Sequence, residues 1–137
     1  MRIFVDCDVL IDIGLKREPF YQASSQLLDY LEVNKSSGFI AWHSIANFFY
    51  LTSKGINKER SKKFIGELCS FLTIANVANK DLFTALELKF NDFEDAMQCA
   101  SAIACNADII VTRNIKDYKN SPIPCSTPEQ ILLKIIN

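Results

Sequence analysis

The segment Asp108-Ile109-Ile110-Val111-Thr112 constrains the fold more than any other part of the chain, because it is an unbroken, β-branched apolar run between polar ends. A strand exposed on one face alternates apolar and polar residues, whereas one apolar at every position is buried on both faces. That is the pattern of a parallel sheet covered by helices on either side. Arg2 to Val5 reads as a second buried strand that runs directly into Asp6 and Asp8. Phe39-Ile40-Ala41, Leu72 to Val77 and a short edge segment from Ile123 to Cys125 supply the remaining predicted strands.

Helical patterns fill the intervals. Val9 to Ile13 is a short apolar helix ending near Gly14. Arg17-Glu18-Pro19-Phe20 is a turn, since a residue before proline avoids helical geometry. Leu27, Leu28 and Leu31 follow at helical spacing, and Ser36-Ser37-Gly38 ends that helix. Ser44 is the expected N-cap of a helix through Leu51 that ends near Gly55. Asn57 is the expected cap of the next, whose apolar residues are Phe64, Leu68 and Phe71. Asn79 is expected to open a helix with Leu82, Leu86 and Phe90 on its apolar side, and Asp92 one that runs to about Cys105. Thr127-Pro128-Glu129-Gln130 combines an N-cap, a proline at the first helical position and a capping-box glutamine. Strands alternating with helices predict a three-layer α/β/α fold around a parallel sheet of four to five strands.

A chain of 137 residues suits one domain spanning 1–137. No apolar run approaches the roughly 20 residues of a membrane span. An acid at position 6 comes too early for a signal peptide, so a cytoplasmic protein with no membrane partner is expected. The five cysteines are scattered and never form C-x-x-C, which argues against a disulfide framework and against a zinc site. The net charge of −1 shows no global signature of nucleic-acid binding. A local basic rim remains possible around Lys16 and Arg17, around Lys58, Arg60, Lys62 and Lys63, or around Arg113, Lys116 and Lys119.

In open parallel sheets, ligands bind beyond the C-terminal ends of the strands. Asp6 and Asp8 follow the first predicted strand, Asn114 and Asp117 follow the Asp108–Thr112 strand, and Asp92 and Asp95 open the helix leading into it. If these segments converge, their carboxylates repel one another unless a cation lies between them. Oxygen ligands without cysteine or histidine suit Mg²⁺ or Mn²⁺, which can activate water against a phosphodiester. Each acid also has a structural reading: Asp92 as N-cap, Asp95 as a dipole-favoured first-turn residue, Asp117 as a turn residue. His43, the only histidine, shows no partner in the sequence. Phosphate-loop, dinucleotide-loop and nucleophile-elbow motifs are all missing.

Together these segments resemble the PIN-domain family, in its bacterial toxin-like ribonuclease branch. Ile3-Phe4-Val5-Asp6-Cys7-Asp8-Val9-Leu10-Ile11-Asp12 resembles the family's opening. Arg17-Glu18-Pro19-Phe20 is similar to a turn of one bacterial branch, and Asp92-Phe93-Glu94-Asp95-Ala96 to the third-acid motif. Val111-Thr112-Arg113-Asn114-Ile115-Lys116-Asp117-Tyr118 resembles the closing T-R-N-x-x-D-[FY] motif, and Ile123-Pro124 with Thr127-Pro128-Glu129 the tail. The resemblance spans essentially the whole chain. It implies a Mg²⁺- or Mn²⁺-dependent endoribonuclease that cuts RNA by metal-activated water. Asp6, Asp95 and Asp117 would be the catalytic acids, joined by Asn114 in holding the metal. Asp8, Ser44, Asn47, Asp92 and Glu94 would support them, and Arg17, Arg113 and Lys116 would meet the nucleic acid. It also implies a homodimer and an antitoxin protein that covers the cleft.

Two departures stand out. Asn47 occupies the place where most family nucleases carry a glutamate, which removes one negative charge, and Cys7 replaces a hydroxyl residue. Asp8, Asp92 or Glu94 could restore the charge. Two rival readings remain open at this point. One is a non-catalytic PIN-fold module that binds RNA or protein. The other is a haloacid-dehalogenase-type phosphatase using Asp6, because Asp6-Cys7-Asp8-Val9-Leu10 is also similar to that family's start.

Overall fold

All five strands of the sheet are parallel, in the spatial order β3-β2-β1-β4-β5. The structure is a computed structural model that describes residues 1–136, so Asn137, the last residue of the expected domain, lies outside the described residues. The chain runs β1 (Ile3–Val5), α1 (Cys7–Gly14), α2 (Tyr21–Val33), β2 (Gly38–Ile40), α3 (Trp42–Gly55), α4 (Lys58–Leu68), β3 (Leu72–Ile74), α5 (Asn79–Glu87), α6 (Phe93–Ala104) and β4 (Ile109–Val111). A 3₁₀ turn (Ile115–Tyr118), β5 (Cys125–Ser126) and α7 (Pro128–Ile136) complete it. No helix among the described residues is long and apolar enough to cross a membrane.

The pleat of the strands separates the two apolar layers. Ile3 and Val5 of β1, Ile40 of β2 and Ile109 and Val111 of β4 join one core with Leu10, Leu27, Leu31, Phe48, Leu68 and Ile131 of the helices. Phe4, Phe39 and Ile110 point the other way, onto Cys99 and Ala102 of α6 and onto Tyr118. Apolar side chains at every position of β1 and β4 are needed because both faces are covered. Glycine opens β2 because a Cβ at Gly38 would stand 2.6 Å from Leu72 Cδ2 of the neighbouring strand and 3.2 Å from Leu31 of α2.

Three expectations are corrected in detail. The third strand is shorter than Leu72 to Val77, although Ala75 N–H still donates to the Ile40 carbonyl. Helix α3 begins at Trp42 after an extended Ala41, so Ser44 is not its cap but a fully buried residue within its first turn. Helix α5 opens at Asn79 as expected, and Asp81 satisfies its start, its carboxylate accepting from the Ala78 N–H. The expected apolar side of α5 does not face a core: Leu82 and Leu86 are exposed, and Phe90 lies past the helix end. Helix α5 packs on α6 through small residues, Ala85 against Ala96 and Ala100, and the large side chains are left outside.

The order of the sheet creates the functional geometry. The chain leaves β1 toward β2 and β3 on one side and returns to β4 and β5 on the other. The connections therefore diverge between β1 and β4, and a crevice opens beyond their C-terminal ends.

Candidate metal centre

Asp6 leaves the end of β1 in extended geometry and caps α1, with Oδ1 accepting from the Cys7 N–H at 2.7 Å. Its Oδ2 accepts from the Thr112 hydroxyl at 2.7 Å, at the end of the neighbouring strand β4, and from the Tyr118 hydroxyl at 3.0 Å. The carboxyl group is 4% exposed, and burial pushes its pKa up to about 6. The nearby Glu94 charge adds to this, while the hydrogen bonds from Thr112, Tyr118 and Cys7 oppose it. Tyr118 is raised even more strongly, by burial and the adjacent carboxylates, and stays a donor.

Asp8 projects from the first turn of α1 toward the loop after β4. Its Oδ2 accepts from the Arg113 N–H at 3.2 Å and from Asn114 Nδ2 at 3.0 Å. Burial and the Asp6 charge push its pKa up to about 8, against the influence of Arg113. Asp92 caps α6 by accepting from the Glu94 N–H at 2.8 Å, so its expected structural role is real. Asp95, three residues on and on the same side of the helix, is pushed up to about 7 by burial and then by the charges of Asp6, Glu94, Asp92 and Asp117.

These residues surround a single open cavity of about 390 Å³ lined by Asp6, Asp8, Asp92, Glu94, Asp95 and Asp117. Asn47, Asn114, Tyr50 and Cys7 add to its polar wall. Three segments far apart in sequence therefore bring their acids to one crevice, and Asn47 stands among them. A larger cavity, about 600 Å³, lies between α2 and α4 and holds none of these acids, so size does not mark the chemistry here.

Other expected site residues lie elsewhere. Ser44 sits behind the cavity, where its hydroxyl accepts from Gln98 Nε2 at 2.8 Å and its carbonyl from the Cys7 thiol at 3.7 Å. His43 Nε2 lies 3.6 Å from Glu94 Oε2, beyond hydrogen-bond distance, and both atoms are buried without a hydrogen bond. Arg113 turns away from solvent and grips the fully buried Asp12, Nε to Oδ2 at 2.7 Å and Nη2 to Oδ1 at 3.2 Å, with its guanidinium 4.3 Å from the Phe20 ring centre. Arg17 approaches the same carboxylate at 3.7 Å. Lys116 lines an adjoining cavity. Thr112, Tyr118 and Asp12 are the contributors that sequence reasoning left unassigned. All three stand inside the quoted segments, but their partners lie 101 to 112 residues away in sequence, so no local signal marked them.

The acids fit a hard divalent cation by the chemistry of their donors. Six carboxylates and two amides line the crevice, beside the Cys7 thiol and the Tyr50 phenol, and the carboxyl groups are raised first by burial and then by one another's charge, which marks negative charge crowded in one place. Among the described residues no three acids, histidines or cysteines already form a closed cage; they ring the cavity instead.

A profile described as the PIN domain matches residues 2–116. The chain is 28% identical over 134 residues to Ribonuclease VapC1 of Aquifex aeolicus (strain VF5), an alignment covering 94% of this chain and 92% of that protein. The fold is that of VapBC2 from Rickettsia felis, solved bound to a DNA fragment from its promoter. The match has a TM-score of 0.71 and 24% identity, over 93% of this chain and 98% of the matched one. DNA-bound VapBC from Salmonella typhimurium matches with a TM-score of 0.72 and 15% identity over the same shares.

Proposed function

The chain belongs to the PIN domain family, and from that membership we propose that it is a Mg²⁺- or Mn²⁺-dependent endoribonuclease, the toxin of a toxin–antitoxin pair. The observation that carries this reading is the convergence of Asp6, Asp95 and Asp117 from three distant segments on one cavity at the switch point of the sheet. Asp6, Asp95 and Asp117 would hold the cation, with Asn114 beside them. A cation bound there supplies the positive charge that stabilises a phosphodiester under attack by water.

The protein's own residues prepare that site. Thr112 and Tyr118 both donate to Asp6 Oδ2, which fixes the plane of the carboxylate and leaves Oδ1, with only the Cys7 N–H, as the freer oxygen. Asn114 and the Arg113 N–H hold Asp8 in the same way. Glu94, held near His43, and Asp8 add the negative charge that Asn47 does not supply. Family membership leaves the phosphatase reading of Asp6-Cys7-Asp8 without support.

Similarity to the VapBC structures and to a solved toxin–antitoxin complex supports an antitoxin partner. For the homodimer the support is Leu82, Phe83 and Leu86, exposed along α5 beside the exposed Trp42 and Val77. Such a run of large apolar side chains favours a covering surface, and we assign it to a second copy.

The deciding experiment is a titration of the protein with Mg²⁺ and Mn²⁺ in the presence of labelled RNA, for wild type, Asp6→Asn and Asp95→Asn. Metal-dependent cleavage lost in both variants is expected. Metal binding without cleavage would favour a non-catalytic RNA- or protein-binding module. Cleavage independent of metal and of both acids would overturn the reading.

A further inference from the structure

A phosphodiester entering a cavity ringed by carboxylates needs compensating positive charge close by, because at physiological salt charges beyond about 8 Å are largely screened. The arginines expected to supply it, Arg113 and Arg17, are directed at Asp12 instead. The lysine-rich face of α4 borders a separate cavity, where Arg60 and Lys63 stand among residues of α1, α2 and α3.

One cavity does meet the requirement. It measures about 330 Å³ and shares Asp92, Asp95 and Asp117 with the acidic crevice, so the two are contiguous. Its other wall carries Lys89, from the connection between α5 and α6, and Lys116 and Lys119, from the turn after β4. The two segments are tied together where Asn120 Nδ2 donates to the Lys89 carbonyl at 2.6 Å. Phe90 packs edge-on against Tyr118, the donor to Asp6, which links this wall to the acid that ends β1. All three lysines are exposed, and among the described residues none forms an ion pair, although three aspartates line the same cavity. Their charge is therefore available to a ligand.

We propose that Lys89, Lys116 and Lys119 form the phosphate-binding lip along which a single strand of RNA enters the acidic crevice, so that the nucleic-acid face of the protein lies on the α5–α6 connection and the turn after β4 rather than on Arg17 and Arg113. This rests on the nuclease reading above. Arg113 thereby acts as a brace: its backbone N–H holds Asp8 while its side chain is locked to Asp12.

The test compares two triple substitutions of equal charge change, Lys89→Gln/Lys116→Gln/Lys119→Gln and Lys58→Gln/Lys62→Gln/Lys63→Gln. Both are made in an Asp95→Asn background, so that labelled single-stranded RNA is bound without being consumed. Anisotropy titrations are run at several salt concentrations with Mg²⁺ present. Loss of three phosphate contacts lowers the slope of log K against log salt by about 2, at about 0.7 per contact for single strands. The expected result is that fall, with at least tenfold weaker binding, for the lip variant only. Equal losses in both variants, or no loss in the lip variant, overturn the proposal while leaving the nuclease reading standing. RNA binding by none of the proteins removes both. Displacement of the RNA by a polyglutamate peptide that binds wild type but not the lip variant reassigns the lip to an acidic protein segment.

Discussion

Burial and crowding of the carboxylates give the protein a distinctive dependence on pH, and a cation should erase it. Asp6 is raised from 3.8 to about 6, Asp95 to about 7 and Asp8 to about 8. A carboxyl group whose folded pKa lies above its unfolded value holds its proton longer in the folded state. The folded protein then binds more protons than the unfolded chain between these limits, so stability falls as pH rises. The window set by these groups runs from about pH 4 to about pH 8 and is steepest between the unfolded value of about 4 and the lowest folded value of about 6, where all three groups hold their protons only in the folded state. One unit is worth about 1.4 kcal/mol, so the Asp6 shift alone corresponds to about 3 kcal/mol. Protonating either Asp6 or Asp8 relieves the other, so the contributions overlap rather than add. For a chain of this length about 3 kcal/mol lowers Tm by roughly 10 °C. Metal-free protein should therefore melt at a clearly lower temperature at pH 8 than at pH 5, as followed by calorimetry in one low-salt buffer series. Mg²⁺ at about 100 times its Kd restores about 2.7 kcal/mol at pH 8 and much less at pH 5, where protons occupy the ligands. Asp8→Asn should flatten the metal-free profile by removing one charge. A metal-free Tm that is constant or rises from pH 5 to pH 8, or a Mg²⁺ effect equal at both, would refute the reasoning.

Three further outcomes are expected. Tyr118→Phe deletes one donor to Asp6 at a cost of about 1.5 kcal/mol and moves the Asp6 titration upward, above its present value of about 6; carboxyl NMR reads the titration and urea denaturation the stability. Asp12→Ala strands the Arg113 guanidinium and should cost about 3 kcal/mol, whereas Asp12→Leu/Arg113→Met recovers most of it; additivity of the single effects in a double-mutant cycle would exclude the pair as a brace. Leu82→Asp/Leu86→Asp should convert a dimer into a stable monomer by light scattering, and a wild type that is monomeric at high concentration would remove the assignment of the α5 face.

What the sequence disclosed and what it hid divide along a physical line. Strand β4 was legible because burial on both faces writes an uninterrupted apolar run, and α7 because Thr127 and Gln130 cap it reciprocally. Features set by contact between distant segments were not. The capping rule picks out Ser44 as a helix start, yet its hydroxyl is met by Gln98 of α6, 54 residues away, and the helix begins two residues earlier. Leucine periodicity in α5 implied a core that the close approach of Ala85 to Ala96 and Ala100 denies it. Arg113 looked available to phosphate, but Asp12 lies one helical turn beyond Asp8, so the side of α1 that carries Asp8 to the β4 loop also presents a buried carboxylate to Arg113. The acids themselves were readable from their positions after strands; the donors that orient Asp6 were not, because Thr112 reaches it across 106 residues. The same distinction bears on Asn47. In sequence it is a missing charge, and a weakened cation site is the natural expectation. In the folded protein Asp95 is still repelled by Asp6, Glu94, Asp92 and Asp117. A crevice in which four carboxylates raise the pKa of a fifth is not short of negative charge. What Asn47 removes is one negative charge from one wall, and a divalent ion is drawn by the field of the others.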